Sequence, residues 1–183
     1  MACVKATILA ALTIVGVAVP AGEPPGRQSG EPAAFLQSLE GQWSVVAEAT
    51  LGPGQEPVRT ESRVVARLLG GKWLVAESPG TAPRGDPVTS ILTLGHDPAE
   101  DRFVGTWISS MQSHLWRYTG TLDQSRASLT LDTRGPILGD PTTTAQYREI
   151  IEIEDADHYV VRSMILGPDG EWFEFARAEH GRM

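Results

Sequence analysis

The sequence predicts an all-β protein, an antiparallel up-and-down β-barrel of about ten strands preceded by one short helix. Three observations predict it. Apolar and polar residues alternate with period 2 in segment after segment, enriched in aromatic and β-branched types, as strands with one buried face require. Short turns rich in Gly, Asp, Pro and Ser join these segments with no helical pattern between them, which favours a closed meander over a βαβ fold. The stretch from Phe103 to Gly120, FVGTWISSMQSHLWRYTG, is the clearest hairpin, carrying Trp107 and Trp116 on two alternating arms around a short polar connection.

Residues 1–21 read as a secretory signal, with Lys5 as the positive start and Ala6 to Val19 as an apolar run too short for a spanning helix. Val19-Pro20-Ala21 places small residues at the two inspected positions, so cleavage is expected near Ala21. Residues 22–31, GEPPGRQSGE with the Gly22 start, are polar and Pro- and Gly-rich, the composition of a flexible linker. The barrel domain is expected over residues 32–183. Pro32 to Leu39 opens it as a short amphipathic helix, with Pro in the first turn and Phe35, Leu36 and Leu39 on one side, placed to cap one barrel end.

Strands are predicted over Gly41 to Ala49, Thr60 to Leu69 and Lys72 to Glu77, with Gly70-Gly71 as a hairpin turn requiring positive φ. Pro79 to Pro87 reads as a long loop. Val88 to Gly95, Arg102 to Ser109, His114 to Thr121 and Ala127 to Asp132 follow as strands, with His96-Asp97-Pro98 and Leu122 to Ser125 as turns. Thr133 to Thr144, rich in Gly, Pro and Thr, reads as a second long loop. Gln146 to Glu154, His158 to Leu166 and Glu171 to Ala178 complete the barrel, the last two joined by the turn Gly167-Pro168-Asp169-Gly170.

Length and charge narrow the function classes. A chain of 183 residues can bury one sizeable core without staples. Its formal net charge of -8, with scattered Arg and only Lys5 and Lys72 as lysines, argues against a nucleic-acid partner, which needs clustered cations. The one cysteine, Cys3, lies in the expected leader and ahead of its apolar run. The exported chain would therefore lack disulfides, Cys-based zinc or iron-sulfur sites and a lipid-modified leader, and would have no membrane-spanning helix.

The run LGGKWLVAE, the LGHDP turn, FVGTWISSM followed by LWRYTGTLD, and the strand YREIIEI together resemble the bacterial family catalogued as domain of unknown function 1579. The resemblance covers Phe35 to Arg177. It implies a lipocalin-like, calycin-type barrel and carries over no activity or catalytic residue. His96 stands where that family usually has Tyr, and Ser110 where it usually has a charged residue. The helix followed by Gly41-x-Trp43 also resembles the lipocalin opening, in which a first-strand Trp stacks on an Arg of the last strand. By that resemblance Trp43 and Arg177 form a structural cation-π latch worth about 1 kcal/mol.

Four groups are candidates for chemistry. Trp73, Trp107, Trp116 and Tyr118 could wall a binding lumen or simply pack a core, and ten strands leave more interior than the eight that side chains just fill. Glu77, Arg117, Arg148, Arg162 and Glu174 are charges inside apolar strands. Alternation groups Glu77 with Trp73 and Val75, and Arg162 with Val160 and Met164; if those faces point inward the charges must be paired or meet a polar ligand. No two of His96, His114, His158 and His180 have metal-ligand spacing, so no metal site is expected; His114 or His158 could bind haem iron as an alternative. Ser109, Ser110 and His114 with Glu77 could be drawn as a hydrolase triad, although no elbow or oxyanion hole accompanies them.

The resulting expectation is a secreted or periplasmic barrel that binds a small, largely apolar or amphipathic molecule. Trp107, Met111, Trp116, Tyr118 and Met164 would be its walls, and Glu77 and Arg162 its polar anchors. A hydrolase-like enzyme using the same lumen, and a structural or protein-binding barrel with a filled interior, stay open.

Overall fold

The computed structural model describes residues 30–50, 56–81, 85–125, 127–137 and 140–183. The expected leader and most of the linker lie outside the described residues. One helix, α1 (Glu31–Ser38), is followed by β1 (Gly41–Ala49), β2 (Val58–Leu69), β3 (Trp73–Thr81), β4 (Pro87–Asp97) and β5 (Arg102–Ser109). Then come β6 (Gln112–Leu122), β7 (Ser128–Ile137), β8 (Asp140–Ile153), β9 (His158–Leu166) and β10 (Trp172–Arg182). Every strand pairs antiparallel with its neighbour in sequence, and β1 pairs with β10, so the ten strands close into a barrel.

The predicted strand order holds, and both predicted long loops are corrected. β3 runs on to Thr81 and β4 starts at Pro87, with Pro79 paired to Thr89. β2 and β3 pair only over Val65–Leu69 and Trp73–Glu77, so Pro79 lies past the point where β3 leaves β2, and its missing N–H interrupts no ladder there. Likewise β7 reaches Ile137 and β8 begins at Asp140, with the irregularity confined to the Pro136/Ile137 step. Composition rich in Gly, Pro and Thr hid a hairpin whose residues face each other in register from Ser128↔Glu152 to Pro136↔Thr144. The Gly70-Gly71 turn is present, with φ of 62° and 70°, and Lys72 N–H donates to Leu69 O at 3.2 Å.

The helix caps one end, hereafter the floor. Phe35, Leu36 and Leu39 are buried there with Trp43, Leu74, Leu94, Phe103 and Leu129, each from the strand end nearest α1. Phe35 meets Phe103 edge-on at 5.9 Å. Fully burying a side chain of this size stabilises by roughly 1.5–3 kcal/mol, so this compact layer holds much of the barrel together.

Trp43 is buried at the floor and donates its indole N–H to Leu39 O at 3.0 Å. Its cation partner is Arg182, whose guanidinium carbon lies 4.1 Å from the ring centroid. The Arg177 assignment is therefore corrected. Trp43 is in register with Arg182, whereas Arg177 faces Glu48, five residues along β1 and thus roughly 16 Å away at about 3.3 Å per residue. Arg177 instead points outward, 3.8 Å from Glu179.

Arg182 also donates to Glu40 O at 3.0 Å, Ser38 O at 3.2 Å and Ala156 O at 2.9 Å. It thereby supplies positive charge and donors to the C-terminal end of α1, where carbonyls lack helical partners. Gly41, at φ 141°, makes room for it: a Cβ there would come within 2.5 Å of the guanidinium.

Candidate functional site

Above the floor the barrel is hollow. A cavity of about 1060 Å³ runs through it, lined by inward residues from all ten strands. Strand alternation decides which side chains reach it. On β5 and β6 the inward set includes Trp107, Trp116 and Tyr118, with Trp107 and Trp116 directly opposite each other in register. These three sequence candidates are brought together in one wall.

Packing pins that wall. His114 meets Trp116 at 4.9 Å, Trp116 meets Tyr147 at 5.1 Å, and Tyr147 meets Phe175 at 6.0 Å, all edge-to-face. Such pairs add roughly 0.5–1.5 kcal/mol each beyond area burial. Gly135 across the strand allows the Trp116 ring its place, since a Cβ there would lie 2.4 Å from the indole. A β-bulge between Glu174 and Ala176 inserts Phe175 as an extra residue and aims it into the lumen. Tyr147 donates its hydroxyl to Pro136 O at 3.0 Å, while Trp116 Nε1 is a buried donor without a partner.

The other candidates lie elsewhere. Glu77 is exposed on the outer face, because its neighbours Ala76 and Ser78 take the inward positions on β3. Arg162 and Met164 alternate with the inward Val161 and Ser163, and so face outward. Arg162 is held there by Glu174 at 2.6 Å and Glu152 at 3.8 Å. Met111 projects from the β5–β6 turn and is 61% exposed. Trp73 is also outward, lying against Gly95. Arg148, bound to Asp132 at 2.8 Å, packs its guanidinium 4.3 Å from the Trp172 ring centroid. The assignments of Glu77, Met111, Arg162 and Met164 to the lumen are thus corrected.

The remaining alternatives are placed as follows. His114 lines the lumen and lies 3.3 Å from Arg134 O, whereas His158 is exposed and paired with Asp155 at 3.0 Å. Asp155 raises the His158 pKa, and the hydrogen bonds from Asp157 and His158 lower that of Asp155. Ser110 Oγ accepts from Thr89 N–H of the neighbouring β4, and Ser109 Oγ accepts from Met111 N–H within the β5–β6 turn. With Glu77 outside and His114 inside, the drawn triad is not assembled. Among the described residues no three His, Cys, Asp or Glu side chains group as metal ligands, and no helix is long and apolar enough to cross a membrane.

The sequence reading did not place Glu149 or His180 in the lumen. Glu149 points inward between Tyr147 and Ile151 and accepts a 2.6 Å hydrogen bond from Ser163 Oγ. Its side chain is enclosed by the barrel yet still borders the cavity. Burial pushes its carboxyl up to about 7, with the Ser163 bond opposing. The Tyr118 phenol is raised by burial and further by the Glu149 charge.

His180 is the second group. Its ring stacks on Tyr159 at 4.0 Å, Tyr159 in turn meets Trp43 edge-on at 4.7 Å, and its Nδ1 has no hydrogen-bond partner. Burial pushes its pKa down to about 4, partly offset by backbone groups of Ala178 and Tyr159. Burial raises the Tyr159 phenol, against the lowering effect of Arg182. The signal for Glu149 was present in Tyr147-x-Glu149-x-Ile151, a charge sharing its strand face with two large apolar side chains.

This architecture is shared with solved structures. The crystal structure of Rv2717c from M. tuberculosis is similar at 15% identity, covering 83% of this chain and 98% of that one with a TM-score of 0.56. A redesigned β-barrel, mFAP0, bound to DFHBI, shows 14% identity over 80% of this chain and all of its own, with a TM-score of 0.42. A redesigned barrel named b11L5F_LGL shows 11% identity over 85% of this chain and 97% of that one, with a TM-score of 0.45. No curated protein matches the sequence. The model of the family described as Protein of unknown function (DUF1579) matches residues 28–182, and the chain belongs to that family.

Proposed function

We propose that this protein binds a small, largely apolar molecule in its barrel lumen, as an exported carrier or sensor. The observation that carries the reading is the cavity itself: about 1060 Å³, walled mainly by aliphatic and aromatic side chains. Small-molecule sites commonly span about 300–1,000 Å³ and pair apolar walls with a few placed polar groups. Trp107, Trp116 and Tyr118 would supply the aromatic wall. A barrel with a filled interior would leave no such space.

Titrating the protein with a neutral apolar dye such as Nile red, and following tryptophan quenching by energy transfer, tests this. Saturable binding is expected. It should be weakened in Ala178→Trp, which narrows the lumen, and kept in Glu77→Ala, which alters the outer face. Absence of saturable binding, or equal binding by Ala178→Trp with unchanged secondary structure, would overturn the reading. Export is tested separately, by whether the expressed chain reaches the periplasm or medium with its new N-terminus near Gly22.

A further inference from the structure

Resting on the lumen-binding reading, we propose that the ligand is a lipophilic amine whose ammonium group pairs with Glu149. Glu149 is a carboxylate set inside a wall of apolar and aromatic residues, and its hydrogen-bond partner there is the Ser163 hydroxyl. No Arg or Lys is among the described residues that line the cavity. The two imidazoles that do are placed otherwise: His114 lies against Arg134 O, and His180 is stacked on Tyr159 at the floor.

A buried carboxylate with no cation is costly in its ionised form, and a ligand that brings the cation removes that cost. Burial pushes the carboxyl up to about 7, because the ionised form loses its solvation there, and a ligand cation would offset that loss. A fatty acid would bring a second negative charge to the same place. An alcohol would bring a hydrogen bond but no charge.

The walls suit the same class. Trp116, Tyr118 and Tyr147 line the cavity with Glu149, and aromatic faces attract cations as well as hydrocarbon. The apolar remainder of the cavity matches an alkyl or aryl body. One enclosed acid among aromatic rings therefore selects on charge, while the surrounding volume selects only on size.

The test is displacement of bound Nile red at pH 8 by decylamine, 1-decanol and decanoate, in the wild type and in Glu149→Gln. Decylamine should displace the dye at a concentration about tenfold or more below that of 1-decanol, as charge-assisted hydrogen bonds exceed neutral ones. Decanoate should be weakest. In Glu149→Gln, decylamine and 1-decanol should become equivalent, with 1-decanol unchanged. Equal displacement by amine and alcohol in the wild type, or an amine preference that survives Glu149→Gln, would overturn the amine assignment while leaving lumen binding intact. Failure of the dye and of all three compounds to bind would sink both. A rise in melting temperature with decylamine, absent in Glu149→Gln, gives a second readout free of the dye.

Discussion

Replacing Glu149 by Gln keeps the side chain's shape and its capacity to bond Ser163, and removes the ionisation. The folded-state pKa of about 7 lies above the ordinary value of 4.5, so between these pH values the folded protein holds a proton that the unfolded chain has released. Stability conferred by that proton is fully present below pH 4.5 and is lost as pH rises through 7. At about 1.4 kcal/mol per pKa unit the loss approaches about 3.5 kcal/mol, an upper figure because the cavity gives the carboxyl some access to solvent.

His180 acts in the opposite sense. Its folded pKa is depressed from 6.5 to about 4, so stability falls as pH drops through that window. The two slopes nearly cancel in the wild type between about pH 4.5 and 6.5. Tyr118, Tyr147 and Tyr159, which also face the lumen, are all raised and so do not titrate in this range. Urea unfolding followed by tryptophan fluorescence at half-unit steps from pH 4.5 to 8 measures the difference. Glu149→Gln should gain on the wild type with rising pH, from a low-pH baseline to about 3 kcal/mol above that baseline at pH 7.5. A difference independent of pH would refute the claim that burial raises this carboxyl.

Three further outcomes follow from the geometry. Arg182→Met should destabilise by about 2 kcal/mol or more, through loss of the stacking on Trp43 and of the carbonyl bonds at the end of α1, while Arg177→Met should change urea stability by less than about 0.5 kcal/mol. His180→Phe should leave the Glu149 slope unopposed, so the variant should gain on the wild type as pH falls from about 6.5 to 4.5, seen as a steeper dependence of the unfolding midpoint on pH than in the wild type. Gly135→Val should displace the Trp116 ring, shifting its fluorescence and lowering stability by about 1–3 kcal/mol in urea melts, as overpacking does.

The strand order was legible because alternation and turn residues are local signals. The inward phase of each strand was not. Alternation separates two faces without saying which is inside, and apolar content misleads when the interior is a cavity. On β9 the inner face carries Ser163 beside Val161 and Tyr159, while Met164 lies on the outer face with Arg162. On β3 the largest side chain, Trp73, is outward and the small Ala76 and Ser78 are inward. A barrel that keeps a cavity open takes some small side chains inside, so side-chain size and hydrophobicity rank the faces wrongly on strands such as β3 and β9. In the hairpin from Phe103 to Gly120 the two arms escaped this error because Trp107 and Trp116 are both large and inward, whereas Met111 at its turn did not. The latch residue was misread for another reason: β10 continues four residues beyond the predicted end at Ala178, and Arg182 lies in that extension.

The seam between β1 and β10 has a consequence for how the molecule is made. All other strand pairs join neighbours in sequence, and so can assemble as hairpins while the polypeptide is leaving the ribosome. The closing pair joins Trp43 to Arg182, and the same arginine anchors the helix, so ring and cap must wait for the final strand. Until then the sheet is an open ribbon whose first strand has one free edge, the state most exposed to pairing with another chain. Nascent chains stalled before residue 172 should therefore be far more protease-sensitive and aggregation-prone than chains released with β10 complete, since synthesis at about 5–20 residues per second leaves the edge open for seconds.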